Sequence, residues 1–313
     1  MLTFFTQPAG FDIGETGLFL HDATQPLWHA LLVGLGNTLR ASLPALLLAT
    51  LLGLMLALGR RSASRPLRLA AGITVDAIVD KTRPTTNKNA IVVGGYRLLK
   101  VDTLDNSSIS DAVLERICAS VKSRPTEAVV FADFRHGIFN RRTIPTLVDA
   151  IPAGVFRVAD SQVASRWGNI TDFKNFDLIT PNEREARFAL ADQDLGIRPL
   201  ASNLYEQAGC KMLILKLGER GVLAYLNPDH HSSDSYFVLE SFVDQIVDPV
   251  GAGDALLAYS TLAMVVARDA TQATILGSIA AACECEFDGN IPISPDNVRA
   301  KINAVENQLH YRA

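Results

Sequence analysis

From about residue 127 the chain alternates short apolar runs with helix-spaced segments, and this alternation limits the fold more than any other feature. "EAVVFADF" (127–134), "GVFRVAD" (154–160), "FDLIT" (176–180), "KMLILKLG" (211–218) and "GVLAYL" (221–226) read as strands. Between and after them, "RTIPTLVDAI", "PNEREARFAL", 252–268 and 271–286 carry the longer apolar period of helices. A last helix is expected from "SPDNVRAKINAVE", with Ser294 as N-cap and Pro295 in the first position. Strands alternating with helices imply a mostly parallel sheet covered on both faces. Such sheets bind ligands outside the carboxyl ends of their strands. The loops "ADFRHG", "ADSQ", "TPNERE", "KLGERG" and "DPVGAGD" all follow predicted strands and are expected to converge there.

Upstream the pattern differs. "AIVVGG" and "YRLLKVD" (90–102) read as two strands around a glycine turn, and "SISDAVLERICASVK" (108–122) as a helix. Residues 1–72 hold five arginines, three acids and no lysine, which leaves the remainder at −6 within a total charge of −4. That balance gives no reason to expect nucleic acid as a partner. Residues 41–59 run without a charge and are followed by Arg60, Arg61, Arg65 and Arg68. The length matches a membrane span, and the arginines set the following chain on the cytoplasmic side. The four cysteines form no zinc-type pair and read as reduced thiols.

Three loops carry chemistry. In "DPVGAGD", Gly251, Ala252 and Gly253 present backbone N–H groups at a helix start, an anion site by geometry and dipole. Asp254 in that first turn can take a proton from an attacking hydroxyl. Asp248 opens the motif, and "SFVDQIV" before it reads as a strand. In "TPNERE", Asn182 and Glu185 share a helical face and can hold a hydrated Mg²⁺; a solvated first turn is the plainer alternative. In "KLGERG", which begins at Lys216, Gly218 and Gly221 allow a tight turn beside a flat nucleotide, or simply a hairpin. No GxxxxGK[ST] loop occurs. His136 reads as a loop residue near the substrate, and His230–His231 as a solvated turn.

Taken in order, Asn-x-x-Glu, Lys-Leu-Gly-x-x-Gly and Asp-x-x-Gly-Ala-Gly-Asp resemble the motifs of the ribokinase-like (PfkB) carbohydrate kinases over residues 73–313. The resemblance implies ATP and Mg²⁺ as cofactors and a sugar or sugar phosphate as substrate. It makes Asp254 the catalytic base and Gly251, Ala252 and Gly253 the anion hole. Asn182 and Glu185 would organise Mg²⁺, while Lys216, Gly218, Gly221 and Asp248 would serve the nucleotide site. A homodimer is a further partner left open. "RPTTNK" (83–88), "RLLKVD" (97–102) and "FADFRHG" (131–137) are most similar to the heptose-phosphate kinases. Those proteins often carry Lys where this chain has His136, and Arg where it has Ala90; their nucleotidyltransferase HxGH motif is absent.

Residues 31–71 resemble the first transmembrane segment of amino-acid ABC-transporter permeases, through Gly-Asn-Thr-Leu-Arg and the arginine-rich exit. They stand where the kinase family has its first sugar-binding strands. The expected fold is therefore α/β, a ribokinase-like mostly parallel sheet, N-terminally truncated and preceded by one transmembrane-type helix. Two domains are expected, 1–72 and 73–313, with the kinase domain cytoplasmic and anchored to the inner membrane. The expected function is ATP-dependent phosphorylation of a sugar hydroxyl, impaired by the lost strands. The alternatives are an inactive membrane-tethered nucleotide-binding module and a permease fusion remnant.

Overall fold

The structure, a computed structural model, describes residues 6–8, 24–33, 35, 76–93, 96–162, 170–226, 235–289 and 291–312. The chain divides into two compact units, Met1–Ala77 and Ile78–Ala313. In the first, a short helix runs over 27–33 and a bridge pairs Pro8 with Pro26.

The second unit opens with an antiparallel pair, β1 (Asn87–Val93) and β2 (Tyr96–Thr103), with a register shift between Ile91 and Val92. Ile91, Leu98, Leu99 and Val101 are exposed on it. After α1 (Asp111–Lys122) come β3 (Ala128–Asp133), α2 (Thr143–Asp149), β4 (Phe156–Ser161), β5 (Leu178–Ile179), α3 (Glu183–Leu190) and α4 (Ile197–Ala208). Then follow β6 (Met212–Lys216), β7 (Val222–Tyr225), β8 (Tyr236–Leu239), α5 (Ala252–Ala267), α6 (Ala270–Cys285) and α7 (Pro295–Arg312).

Strands β3 to β8 form one sheet in chain order. The pairs from β3 through β6 are parallel, and β7 and β8 are added antiparallel. Because the order never reverses, right-handed crossovers put the connecting helices on a single face. Phe131, Ala159, Ile179, Leu213 and Leu215 point to that face and pack with Leu114, Ile144, Leu147, Leu200 and Leu204 of α1, α2 and α4. Their strand neighbours Val158, Leu178, Met212 and Ile214 point the other way, onto Leu256 and Leu257 of α5 and Ala273 of α6. A strand alternates faces at every residue, so apolar runs without polar interruption are what a sheet covered twice demands.

The two C-terminal helices approach closely. A β-carbon built at Gly277 of α6 would fall 2.0 Å from Ser260 Oγ and 3.0 Å from Leu256 O on α5. Ser260 uses the same hydroxyl to donate to Ala273 O at 2.9 Å. At the other end of the sheet β3 pairs with β4 alone among the described residues, and Val130 on it is 41% exposed.

Three expectations are corrected. No helix among the described residues is long and apolar enough to cross a membrane. The stretch 41–59 lies outside the described residues, so the transmembrane-type helix, the permease likeness, the membrane association and the inner-membrane anchor have no structural support and are withdrawn. "SFVDQIV" (241–247) is not a strand. Its donors go to the end of α6 instead: Val247 and Asp248 N–H reach Cys285 O, and Asp244 N–H reaches Glu286. Pro181, which "PNEREARFAL" would put in the first turn of its helix, sits one residue ahead of the α3 N-cap, Asn182. Gly94–Gly95 and His230–His231 lie outside the described residues.

Gly277→Ala is expected to force α5 and α6 apart and to destabilise the chain by about 1–3 kcal/mol; denaturant unfolding of the two forms measures it.

Candidate active site

Parallel pairing levels the strand ends, and the level ends make a cleft. Asp160 ends β4 beside Ser161, Thr180 follows β5, and Lys216 ends β6. Thr180 Oγ1 donates to Asp160 Oδ1 at 3.1 Å. Lys216 Nζ lies 3.1 and 3.3 Å from the two Asp160 oxygens. A cavity of about 560 Å³ sits above them. Of the residues expected from the sequence, Asn182, Glu185, Lys216, Gly218, Gly221, Gly251, Ala252, Gly253 and Asp254 all line it. Asp248 does not; its Oδ1 accepts from Val250 N–H at 3.1 Å and so shapes the turn ahead of α5. A larger cavity, about 1030 Å³, opens at the amino ends of the strands around Phe156, Arg157 and Lys211, and holds none of these groups.

The turn that opens α5 has no side-chain cap. Gly251 is the helix N-cap at φ 98°, a conformation glycine adopts without strain. Its first N–H groups therefore have no side-chain acceptor at the helix end, where the dipole is positive. The Gly218–Arg220 turn joins β6 to β7, so the hairpin and the cavity wall are one structure. Gly221, at φ 83°, passes so close to the next strand that a β-carbon would fall 2.1 Å from Leu239 O.

Asn182 and Glu185 form a reciprocal capping box. Asn182 Oδ1 accepts from Glu185 N–H at 2.8 Å, and Glu185 Oε2 accepts from Asn182 N–H at 2.7 Å. The Asn182 carbonyl is thus committed to the helix. Glu185 keeps one carboxylate oxygen outside the box, and burial raises its pKa against the pull of Lys216 and the Asn182 N–H. No group of three or more His, Cys, Asp or Glu suited to a metal occurs among the described residues. The residues fit Mg²⁺ only as an ion held largely by water and phosphate with one carboxylate at hand, which is the habit of that cation.

Asp254 opens to the cleft. Burial of its surroundings raises its pKa, the Asp160 charge adds to the rise, and Lys216 and Lys88 oppose it. Asp160, Ser241, Val243, Ile246, Ser278 and Cys285 also line the cavity and were not singled out from the sequence. Ser278 Oγ is buried there without a hydrogen-bond partner among the described residues. The wall carrying Ser241, Val243 and Ile246 is pinned from outside: Lys301 of α7 lies 2.7 Å from Asp244 and 2.5 Å from Glu286. Burial works against the Lys301 charge, but the bonds to these two carboxylates outweigh it and raise its pKa.

The fold is that of the ribokinase-like α/β proteins. The chain superposes on phosphofructokinase-2 from Escherichia coli in its tetrameric inhibited form with a TM-score of 0.60, covering 77% of each chain at 14% identity. For ribokinase from Thermotoga maritima the TM-score is 0.55 at 19% identity, over 77% of this chain and 78% of that one. Residues 67–297 match the pfkB family carbohydrate kinase model, and the chain belongs to that family. Among its relatives, the bifunctional protein HldE of Caulobacter vibrioides is 31% identical over 80% of this chain and 51% of its own length. HldE of Pelobacter propionicus is 25% identical over 75% of this chain and 47% of its own. The chain thus spans about half the length of these relatives.

Carbon-13 NMR titration is expected to find the Asp254 carboxyl above the ordinary value of 3.8. Asp160→Asn removes a raising charge and is expected to bring it down.

Proposed function

We propose that the chain transfers the terminal phosphate of ATP to a hydroxyl of a sugar phosphate, with the heptose phosphates as the favoured class. The observation that carries this reading is the meeting of three things in one cleft: the uncapped amino end of α5, the Asp254 carboxylate in its first turn, and the paired glycines of the β6–β7 turn. Family membership supports ATP-dependent sugar phosphorylation in general. The likeness to HldE, together with "RPTTNK" and "FADFRHG", supports the narrower class.

In this reading Asp254 takes the proton from the acceptor hydroxyl. The hydroxyl oxygen forms a bond to the terminal phosphorus as the bond to the bridging oxygen breaks, and ADP departs with that electron pair. The first amides of α5 hold the charge that develops on the phosphoryl oxygens. Gly218 and Gly221 keep the wall low beside the nucleotide, and Ser278 Oγ offers it a hydrogen bond. When bound, Mg²⁺ supplies charge neutralisation along the phosphates, with Glu185 as the residue to hold it. Residues 1–72 and 73–313 are the proposed domains, the second carrying the reaction. The acceptor side is the less enclosed half, because β3 ends the sheet among the described residues.

Incubation with Mg²⁺-ATP and a panel of sugar phosphates, heptose 7-phosphate among them, is expected to release ADP and a doubly phosphorylated sugar. Asp254→Asn is expected to lower kcat by about 10²–10⁴-fold, the range for a lost general base. The acceptor KM is expected at the upper end of the usual range, about 1 mM, with nucleotide affinity unaffected. Nucleotide binding without phosphorylation of any sugar would reduce the chain to an inactive nucleotide-binding module.

A further inference from the structure

At the amino ends of the strands, away from the cleft, the cavity of about 1030 Å³ is lined by two kinds of side chain. Alternation along β4 and β6 points Phe156 and Met212 toward α5, where Leu226 and Met264 join them in an apolar bed. Arg157 and Lys211 take the alternate positions, one beside each, at the level where the strands begin. Arg268 adds a third cation from the carboxyl end of α5. Two carboxylates face the same space, Asp177 and Glu127. Asp177 is already engaged: Oδ2 accepts from Arg157 N–H at 2.7 Å, and Oδ1 lies 2.7 Å from Lys211 Nζ. Glu127 is exposed to solvent and, among the described residues, pairs with none of the three cations. Asp269, next to Arg268, lines no part of the cavity; it accepts from Gln272 N–H at 2.9 Å as the cap of α6. The Arg157 side chain is 32% exposed, and its one ion-pair contact, Asp177, is 4.0 Å from Nε. The Arg268 guanidinium has no partner among the described residues. Three cations against two carboxylates leave one positive charge over an apolar bed, with two guanidinium groups whose donors are unused.

We propose that this cavity is a second ligand site, for a small amphipathic anion: an apolar body of acyl or aryl type that ends in one acidic group. The volume is that of a small-molecule pocket, about 300–1000 Å³. The apolar body covers Phe156, Met212, Leu226 and Met264, and removing that surface from water supplies most of the binding. The acid accepts from Arg157 and Arg268, whose planar forks match an oxyanion, while Lys211 stays with Asp177. The surplus positive charge disfavours a cation, the apolar bed disfavours a free sugar, and Asp177 and Glu127 disfavour a group as highly charged as a triphosphate. Arg157 interrupts the apolar run of "GVFRVAD", in a strand covered on both faces where a charge has no packing role. The site shares no lining residue with the cleft and does not rest on the kinase reading.

Calorimetric titration of the full chain with decanoate, decanol and acetate separates the apolar body from the acid. Decanoate is expected to bind about tenfold or more tighter than decanol, and acetate to give no measurable heat. Arg157→Met and Arg268→Gln are each expected to weaken decanoate by about tenfold, the worth of a charged hydrogen bond, and to leave decanol unchanged. Asp254→Asn, in the cleft at the other end of the sheet, is expected to alter neither. Should Arg157→Met not fold, Arg268→Gln, which changes an exposed side chain, carries the same comparison. Failure of decanoate to bind, equal binding of decanoate and decanol, or no loss in the arginine variants would overturn the site. A change in decanoate binding with Asp254→Asn would place the ligand in the cleft and overturn it as well. None of these outcomes touches the kinase reading, which the sugar-phosphate assay tests on its own.

Discussion

Parallel register is the constraint on which the rest of this structure depends. Val158, Leu178 and Met212 stand side by side across β4, β5 and β6. Two residues further on, the same alignment sets Asp160 beside Thr180, and the end of β6 brings Lys216 within reach of the Asp160 carboxylate. A slip of one residue would turn Val158, Leu178 and Met212 away from α5 and expose Ala159 and Ile179 in their place. The same slip would take the Asp160 carboxylate off Lys216. Burial of the two sheet faces therefore fixes the polar geometry of the cleft, and no separate force is needed to assemble it.

Much of the cleft was legible because two of its loops follow strands and all three carry local signals. "TPNERE", "KLGERG" and "DPVGAGD" carry local signals: a glycine that must take a positive φ, or an amide and a carboxylate three residues apart. Those signals survive in the structure, although Asn182 turns out to serve its helix through the capping box. What was not legible depends on distant partners. Nothing near Asp160 distinguishes it from any aspartate at a strand end; its importance comes from Lys216, 56 residues away. "SFVDQIV" looks like a strand because of its apolar residues, yet the N–H groups of Asp244 and Val247 are taken by Glu286 and Cys285 across the chain. Helix α4 could have been found, since Leu200, Ala201, Leu204, Tyr205 and Ala208 are buried at helical spacing.

The capping box shows how one pair of side chains serves two ends. Glu185 holds the amino end of α3 with one oxygen and faces the cavity with its carboxylate already desolvated. Its geometry is therefore set by helix formation before any cation arrives. Asp254 is placed in a similar way, by the first turn of a helix that Gly251 lets begin abruptly. Both carboxylates sit on regular elements, which spares the cleft from depending on loop conformation for its charged groups.

The clamp at Lys301 extends the cleft's frame to the far end of the chain. Helix α7 contributes no side chain to the cavity, yet its lysine ties the 241–248 segment to the end of α6. A protease that nicked the tail ahead of residue 301 would leave every lining group present and set the roof of the cavity adrift. The carboxyl-terminal helix is thus a remote hinge pin for a pocket that it never touches.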